Sequence, residues 1–161
     1  MSPEAERPWI TVPLEEAHKN PNGIIIDTTW VDDPVKMKSR MCGREFNSSG
    51  PRDDLFAGTP PLLATKLLIS ECASRAYEKE ACRLMVLDVK RAFLYGRARR
   101  DIYIKLPPED PRYGTGVVGK LERSLYGTRD APEIWQDELK SSMEELGFRS
   151  CLSNPGGVYA G

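Results

Sequence analysis

The chain has 161 residues, 40% of them apolar and 29% charged, with 23 basic against 24 acidic residues and a net charge of −1. That length allows one ordinary domain with a small lobe beside it. The composition makes disorder the exception, and the charge balance excludes a uniformly basic binder.

The charges are nevertheless unevenly spread. Acidic residues dominate up to Asp33, after which Lys36, Lys38, Arg40 and Arg44 follow closely, and a second basic run comprises Lys90, Arg91, Arg97, Arg99 and Arg100. Such clusters suit phosphate, although a charge run is more often a solvated face. The four cysteines (Cys42, Cys72, Cys82, Cys151) form no C-x-x-C pair and His18 is the single histidine, so no zinc site is expected. The N-terminus "MSPEAERPW" is acidic and has no apolar leader segment. No apolar run approaches the ~20 residues a membrane span needs. The expected setting is therefore intracellular, cytoplasmic or nuclear, with reduced thiols.

Residues 1–22 are rich in Pro and Glu with weak periodicity, and they read as a loosely ordered N-terminal arm; residues 23–161 form the expected folded region. "GIIIDTTWV" (23–31) is β-branched and predicts a strand. "VKMKSRMCGREF" (35–46) partly alternates apolar and basic residues and predicts a second, half-exposed strand. "DDP" between them is a turn signal, so the pair predicts a β-hairpin with basic residues on one face.

"NSSGPRDDLFAG" (47–58) reads as a loop, with Thr59 and Pro60 opening a helix. The broad apolar set from Leu62 to Ala76 predicts a largely buried helix. "CRLMVLDV" (82–89) has the pattern of a central strand closing on Asp88. "DIYIKL" (101–106) and "VVGKLER" (117–123) predict further strands. Asp130 and Glu133 form a capping box around Pro132, and Ile134, Trp135, Leu139, Met143 and Leu146 mark an amphipathic helix ending at Gly147. "FRSCL" (148–152) and "GVYA" (157–160) are short strands across the turn "SNPG". The irregular alternation of strands and helices predicts an α+β fold, with a mixed or antiparallel sheet packed on helices.

Two places attract a catalytic reading. "WVDD" (30–33) has an aromatic residue, a spacer and paired aspartates, the shape of a polymerase metal box. Pro34 follows at once, where such a box needs a returning strand that can pair. A turn explains "DDP" with less. "MVLDVKRAFLYG" (85–96) is the more informative stretch, since an apolar strand delivers Asp88 at its end. A carboxylate there must cap a turn, meet a cation or bind a metal. Arg97, Arg99 and Arg100 are the nearby candidates for a cation partner.

"LDVKRAFLYG", then "DIYIKLPPED", then "GKLERSLYGTRDAPEIWQDELKSSMEELGF" together resemble the reverse transcriptase of copia-type retrotransposons. Order and spacing match over residues 85–160. "KMKSRMCGREF" and "RDDLFAGTPPLLATKLLISECAS" resemble the upstream fingers strand and helix more loosely. The resemblance implies a right-hand polymerase architecture, here a fingers and partial palm fragment.

The resemblance also implies roles. Asp88 matches the first catalytic, metal-binding carboxylate. Phe93 matches the aromatic gate at the nucleotide 2′ position, though by itself it would read as core. Tyr126 and Gly127 match the substrate-cradling loop, where a missing side chain would let backbone approach the nucleotide. Lys38 and Arg40 fall in the nucleotide-binding region. Arg44, Lys90 and Arg91 fall where nucleic acid is contacted. Trp135 reads as core.

Magnesium ions, a deoxynucleoside triphosphate and an RNA/DNA primer–template are the implied cofactor and partners; no membrane partner is expected. Two-metal phosphoryl transfer takes further carboxylates from a Tyr-x-Asp-Asp hairpin, expected shortly after "GGVYAG". The chain as given stops at Gly161. The expectation is RNA-directed DNA polymerase ancestry without primer extension by this polypeptide alone. The alternative is a non-catalytic retroelement remnant, at most a nucleic-acid-binding or interaction module.

Overall fold

The structure is a computed structural model that describes residues 7–45, 62–77, 88–150 and 158–160. The 47–58 loop, the Thr59–Pro60 helix start, the "SNPG" turn and all but the last two residues of the 82–89 strand lie outside the described residues. The chain divides into two compact units, residues 1–56 with 91–138, and residues 57–90 with 139–161. No helix among the described residues is long and apolar enough to cross a membrane.

The first unit is built on five strands: β1 (Trp9–Pro13), β2 (Ile24–Asp33), β3 (Lys38–Arg44), β4 (Ile102–Ile104) and β5 (Val117–Leu121). Their order across the sheet is β1-β5-β4-β2-β3. β2 runs parallel to β4, while the β1–β5, β4–β5 and β2–β3 pairs are antiparallel. The sheet is therefore mixed, one of the two expected arrangements, and the class is α+β.

β4 is the centre. Successive side chains of a strand point to opposite faces, so Ile102 and Ile104 face one way and Tyr103 the other. The first pair joins Ile26, Leu121 and Leu125 in one apolar cluster, and Tyr103 joins Val12, Ala17 and Val118 in another. Ile104 is fully buried. Tyr103 keeps its hydroxyl satisfied by accepting a hydrogen bond from Asn20 at 3.2 Å, as a buried phenol requires.

β2 changes partner along its length. Ile24–Ile26 pair with β4, and Asp27–Asp33 pair with β3. The hairpin expected from the sequence is present, with turn residues 34–37. Asp33 makes that turn: its Oδ1 accepts the N–H groups of Val35 at 3.1 Å and Lys36 at 3.0 Å. Asp32 pairs across the hairpin with Ser39. The paired aspartates thus end strand β2, and the turn that "DDP" implied follows them directly.

Residues 9–19 correct the expectation of a loosely ordered arm. β1 pairs with β5 over five residues, from Trp9↔Leu121 to Pro13↔Val117. α1 (Leu14–Lys19) follows directly and buries Ala17. Leu14 N–H also bonds to the Gly116 carbonyl at 2.9 Å. The sequence hides this because β1 is an edge strand bounded by prolines, and α1 is too short to show a period.

α3 (Ala131–Glu145) starts in the first unit, where Ala131 and Ile134 are buried. The Trp135 ring lies 6.3 Å from that of Tyr95. The helix ends as expected: Gly147 takes φ +88 and donates its N–H to the Glu144 carbonyl at 2.9 Å, a left-handed stop that glycine adopts without strain.

The second unit contains α2 (Leu62–Ser74), the end of α3, and the antiparallel pair β6 (Phe148–Ser150) and β7 (Val158–Ala160). α2 overturns the expectation of burial. None of its residues is buried, and Leu62, Leu63, Leu67, Leu68 and Ile69 are all half or more exposed. Its apolar side chains surround the axis instead of forming one stripe, so no single neighbour can cover them.

Candidate functional site

In the first unit, three segments distant in sequence converge around Tyr126. Residues 125–128 form a tight turn, with the Leu125 carbonyl accepting Thr128 N–H at 3.2 Å and the Thr128 hydroxyl at 2.8 Å. Buried Leu125 anchors this turn in the core. Gly43 N–H of β3 bonds to the Tyr126 carbonyl at 2.7 Å. Gly127 sits at φ +84, and a Cβ there would collide with the Gly43 carbonyl oxygen. Glycine is therefore required both by its dihedral and by β3 lying against it. The empty space at Gly127 is filled by protein backbone, a reason the sequence pattern did not offer.

The Tyr126 ring meets two expected partners. Phe93, in the 3-10 turn Ala92–Leu94, packs its ring 4.9 Å from Tyr126 with the planes tilted by 49°. The Arg40 guanidinium of β3 lies 5.9 Å from the Tyr126 ring centroid, within reach of a cation–π contact. Arg91 enters the 3-10 turn at φ +56, a conformation uncommon outside glycine, asparagine and aspartate. Such residues concentrate at functional sites.

Beside this group is a cleft of about 460 Å³, lined among others by Trp9, Trp30, Arg40, Arg91, Leu94 and Tyr126. The Trp30 indole N–H donates to Glu109 at 3.1 Å, which fixes the ring at the cleft edge. Aromatic rings and guanidinium groups lining one cleft suit a ligand that has both a flat ring and phosphates.

One feature of the loop escaped sequence reasoning. Arg100, just before β4, donates to both oxygens of Glu45 at 2.7 and 2.9 Å and to both oxygens of Asp130 at 2.7 and 2.9 Å. Glu45 Oε2 also accepts Arg129 N–H at 2.8 Å. Both carboxylates are nearly buried. Burial pushes the Glu45 carboxyl up, but the hydrogen bonds from Arg100 and Arg129 and the Arg100 charge outweigh it, and its pKa is lowered. Asp130 is lowered in the same way: burial opposes, while the hydrogen bonds from Arg100 and its charge prevail. The Arg100 pKa is raised by its hydrogen bonds to Asp130 and Glu45.

This network corrects two expectations. The Asp130–Glu133 capping box gives way, because the Asp130 carboxylate is held by Arg100 and Glu133 faces Arg99 at 3.6 Å. The second basic run is also less free than its sequence implied. Arg99 contacts Asp137 at 2.6 Å, and Arg100 makes four hydrogen bonds to Glu45 and Asp130. Two of the three arginines expected as partners for Asp88 are thus engaged with other acids.

The remaining expected site residues are spread more widely. Lys38, Arg40 and Arg44 alternate along β3 and share one strand face, with Lys38 opposite Asp33 and Arg44 opposite Asp27. All three are exposed. Asp88 and Lys90 are exposed and belong to the second unit. Among the described residues no group of three or more His, Cys, Asp or Glu is placed to hold a metal ion. Asp88 is a single exposed carboxylate.

The first unit thus defines an α+β module that gathers cations and aromatic rings around one glycine-containing loop. Residues 16–160 match the model of the family described as reverse transcriptase (RNA-dependent DNA polymerase), and the chain belongs to that family. It is 30% identical over 124 residues to the retrovirus-related Pol polyprotein from transposon TNT 1-94 of Nicotiana tabacum, a match covering 75% of this chain and 9% of that protein. It is 27% identical over 126 residues to the corresponding polyprotein from transposon RE1 of Arabidopsis thaliana, covering 74% of this chain and 8% of that one. These matches bear out the copia-type retrotransposon resemblance. The chain spans less than a tenth of the length of either relative. No solved structure matches it significantly.

Proposed function

We propose that this chain supplies the nucleotide-holding part of a copia-type reverse transcriptase, which adds deoxynucleotides to a primer on an RNA or DNA template. The β2–β3 hairpin acts as the fingers element, and β4, β5 and α3 belong to the palm. The observation that carries this reading is the convergence of Arg40, Tyr126 and Phe93 from three separate segments into one unit.

Each residue then has a role. Arg40, with Lys38 on the same strand face, meets the triphosphate. Tyr126 gives the nucleotide a surface, and its loop is held flush with β3 by the Gly127–Gly43 contact. Phe93, braced on Tyr126, crowds the sugar 2′ position and favours deoxyribose. Arg44, Lys90 and Arg91 contact the nucleic-acid backbone. Asp88, which matches the family's first metal-binding carboxylate, would hold a magnesium ion. Nucleotide binding is the direct measurement for the 161-residue polypeptide.

Titration with a fluorescent deoxynucleoside triphosphate in magnesium buffer tests this. The chain should bind the nucleotide, and Arg40→Ala should weaken binding about tenfold, since a hydrogen bond to a charged group contributes about 1.5–3 kcal/mol. Filter binding of an RNA primer–template should fall steeply with salt as counterions are released. Absence of nucleotide binding, or an Arg40→Ala variant that binds as well as the parent chain, would refute the assignment.

A further inference from the structure

Arg40 and Tyr126 lie on different segments, so something must fix their separation. β3 and the loop meet first through backbone, at the Gly43–Tyr126 hydrogen bond and the Gly127–Gly43 contact. They meet again at Glu45, one residue past β3, whose carboxylate receives Arg129 N–H. Arg100 then grips both sides at once. One fork of its guanidinium holds Glu45, five residues beyond Arg40, and the other holds Asp130, four residues beyond Tyr126.

Paired two-point contacts fix orientation as well as distance. Arg100 also sits two residues before Ile102, where β4 enters the most buried part of the sheet. Both arms of the pocket are therefore referred to the rigid centre of the fold. Removal of the guanidinium would leave two nearly buried carboxylates facing a common gap, and their repulsion would part β3 from the loop.

We infer that Arg100 is a positioning residue for the nucleotide: by clasping Glu45 and Asp130 it sets Tyr126 against Arg40. This rests on the proposed nucleotide site. It makes the charge balance of the triad, and not merely its presence, a determinant of nucleotide affinity.

The test uses the 161-residue chain, a fluorescent deoxynucleoside triphosphate with magnesium, and a temperature at which each variant is folded by circular dichroism. Arg100→Gln should weaken binding about tenfold, the scale of one lost charged contact to the nucleotide. The double variant Glu45→Gln/Arg100→Gln, which removes one of the two facing charges with little change of shape, should recover much of that loss. Because each variant is measured where it is folded, a residue that only stabilised the fold would leave the affinity of Arg100→Gln unchanged. Arg100→Lys keeps the charge but not the two forks and should fall between the parent chain and Arg100→Gln.

If Arg100→Gln does not fold, Glu45→Gln and Arg100→Lys carry the test, each with an expected loss of several-fold. Folded variants with unchanged affinity, or a double variant no better than the single one, overturn the inference. The two readings separate cleanly. A parent chain that binds no nucleotide removes the site and the clasp together. A parent chain that binds, with Arg40→Ala weakened and Arg100→Gln unaffected, removes the clasp alone.

Discussion

β4 and α2 make opposite use of apolar sequence. β4 contributes three residues, Ile102, Tyr103 and Ile104, and all are buried. α2 contributes thirteen, with five large aliphatic side chains half or more exposed and none of its residues buried. Composition would rank them the other way. The difference lies in neighbours. β4 is paired along both edges, to β2 and β5, and its two faces feed two separate clusters. Apolar sequence is a demand for cover, and a partner has to meet it.

The sharpest way to break that contrast is at the centre of β4. Ile104→Ala should lower unfolding free energy by about 2–5 kcal/mol, since a fully enclosed side chain leaves a cavity in addition to its lost transfer energy. Urea denaturation followed by tryptophan fluorescence measures it. A loss near zero would mean that the sheet is not the stabilising core.

What could be read in advance depended on how local the cause was. The hairpin was legible because its signals sit side by side: a β-branched run, the Asp33–Pro34 turn and an alternating basic strand. The end of α3 was legible from Gly147, which marks its own position. β1 was not, because its pairing partner β5 lies a hundred residues away, and a strand with Pro13 at its end and Val12 as its only fully buried residue shows little alternation. The site was half legible. The family pattern singled out Phe93, Tyr126 and Arg40, which the fold brings together, but no local signal joins Glu45, Arg100 and Asp130. The nearest hint was an arginine run leading straight into a buried strand, and it read as a solvated or phosphate-facing cluster and a candidate partner for Asp88, because the acids that Arg100 meets are 30 and 55 residues away.

The triad is intermediate between the two regions, since it buries charge where β4 buries carbon. Its pH dependence follows from the lowered carboxyl pKa values of Glu45 and Asp130. A carboxyl lowered in the folded state adds stability that is complete above its unfolded pKa and disappears as pH falls through the folded value. The ordinary values are 4.5 for Glu45 and 3.8 for Asp130. The contribution should thus be constant from neutrality down to roughly pH 5 and be lost progressively on further acidification. Arg100→Gln should remove this share of the acid loss. Without their cation, burial and mutual repulsion raise both carboxyls, and stability assigned to the pair then improves as pH falls. Urea midpoints across pH for the parent and Arg100→Gln chains measure the difference. Parallel pH profiles would mean that Arg100 does not hold the carboxylates ionised.

The smallest expected effect lies on α2, and it tests the other side of the contrast. Leu68 is 53% exposed. Truncation of an exposed side chain removes few contacts and opens no cavity, and alanine is the better helix former. Leu68→Ala should therefore shift the urea midpoint by no more than the equivalent of about 0.5 kcal/mol, in either direction. The same truncation of a buried leucine costs several times more. A loss comparable to that of Ile104→Ala would show that α2 is covered in solution, and that its apolar surface has found the neighbour its sequence demands.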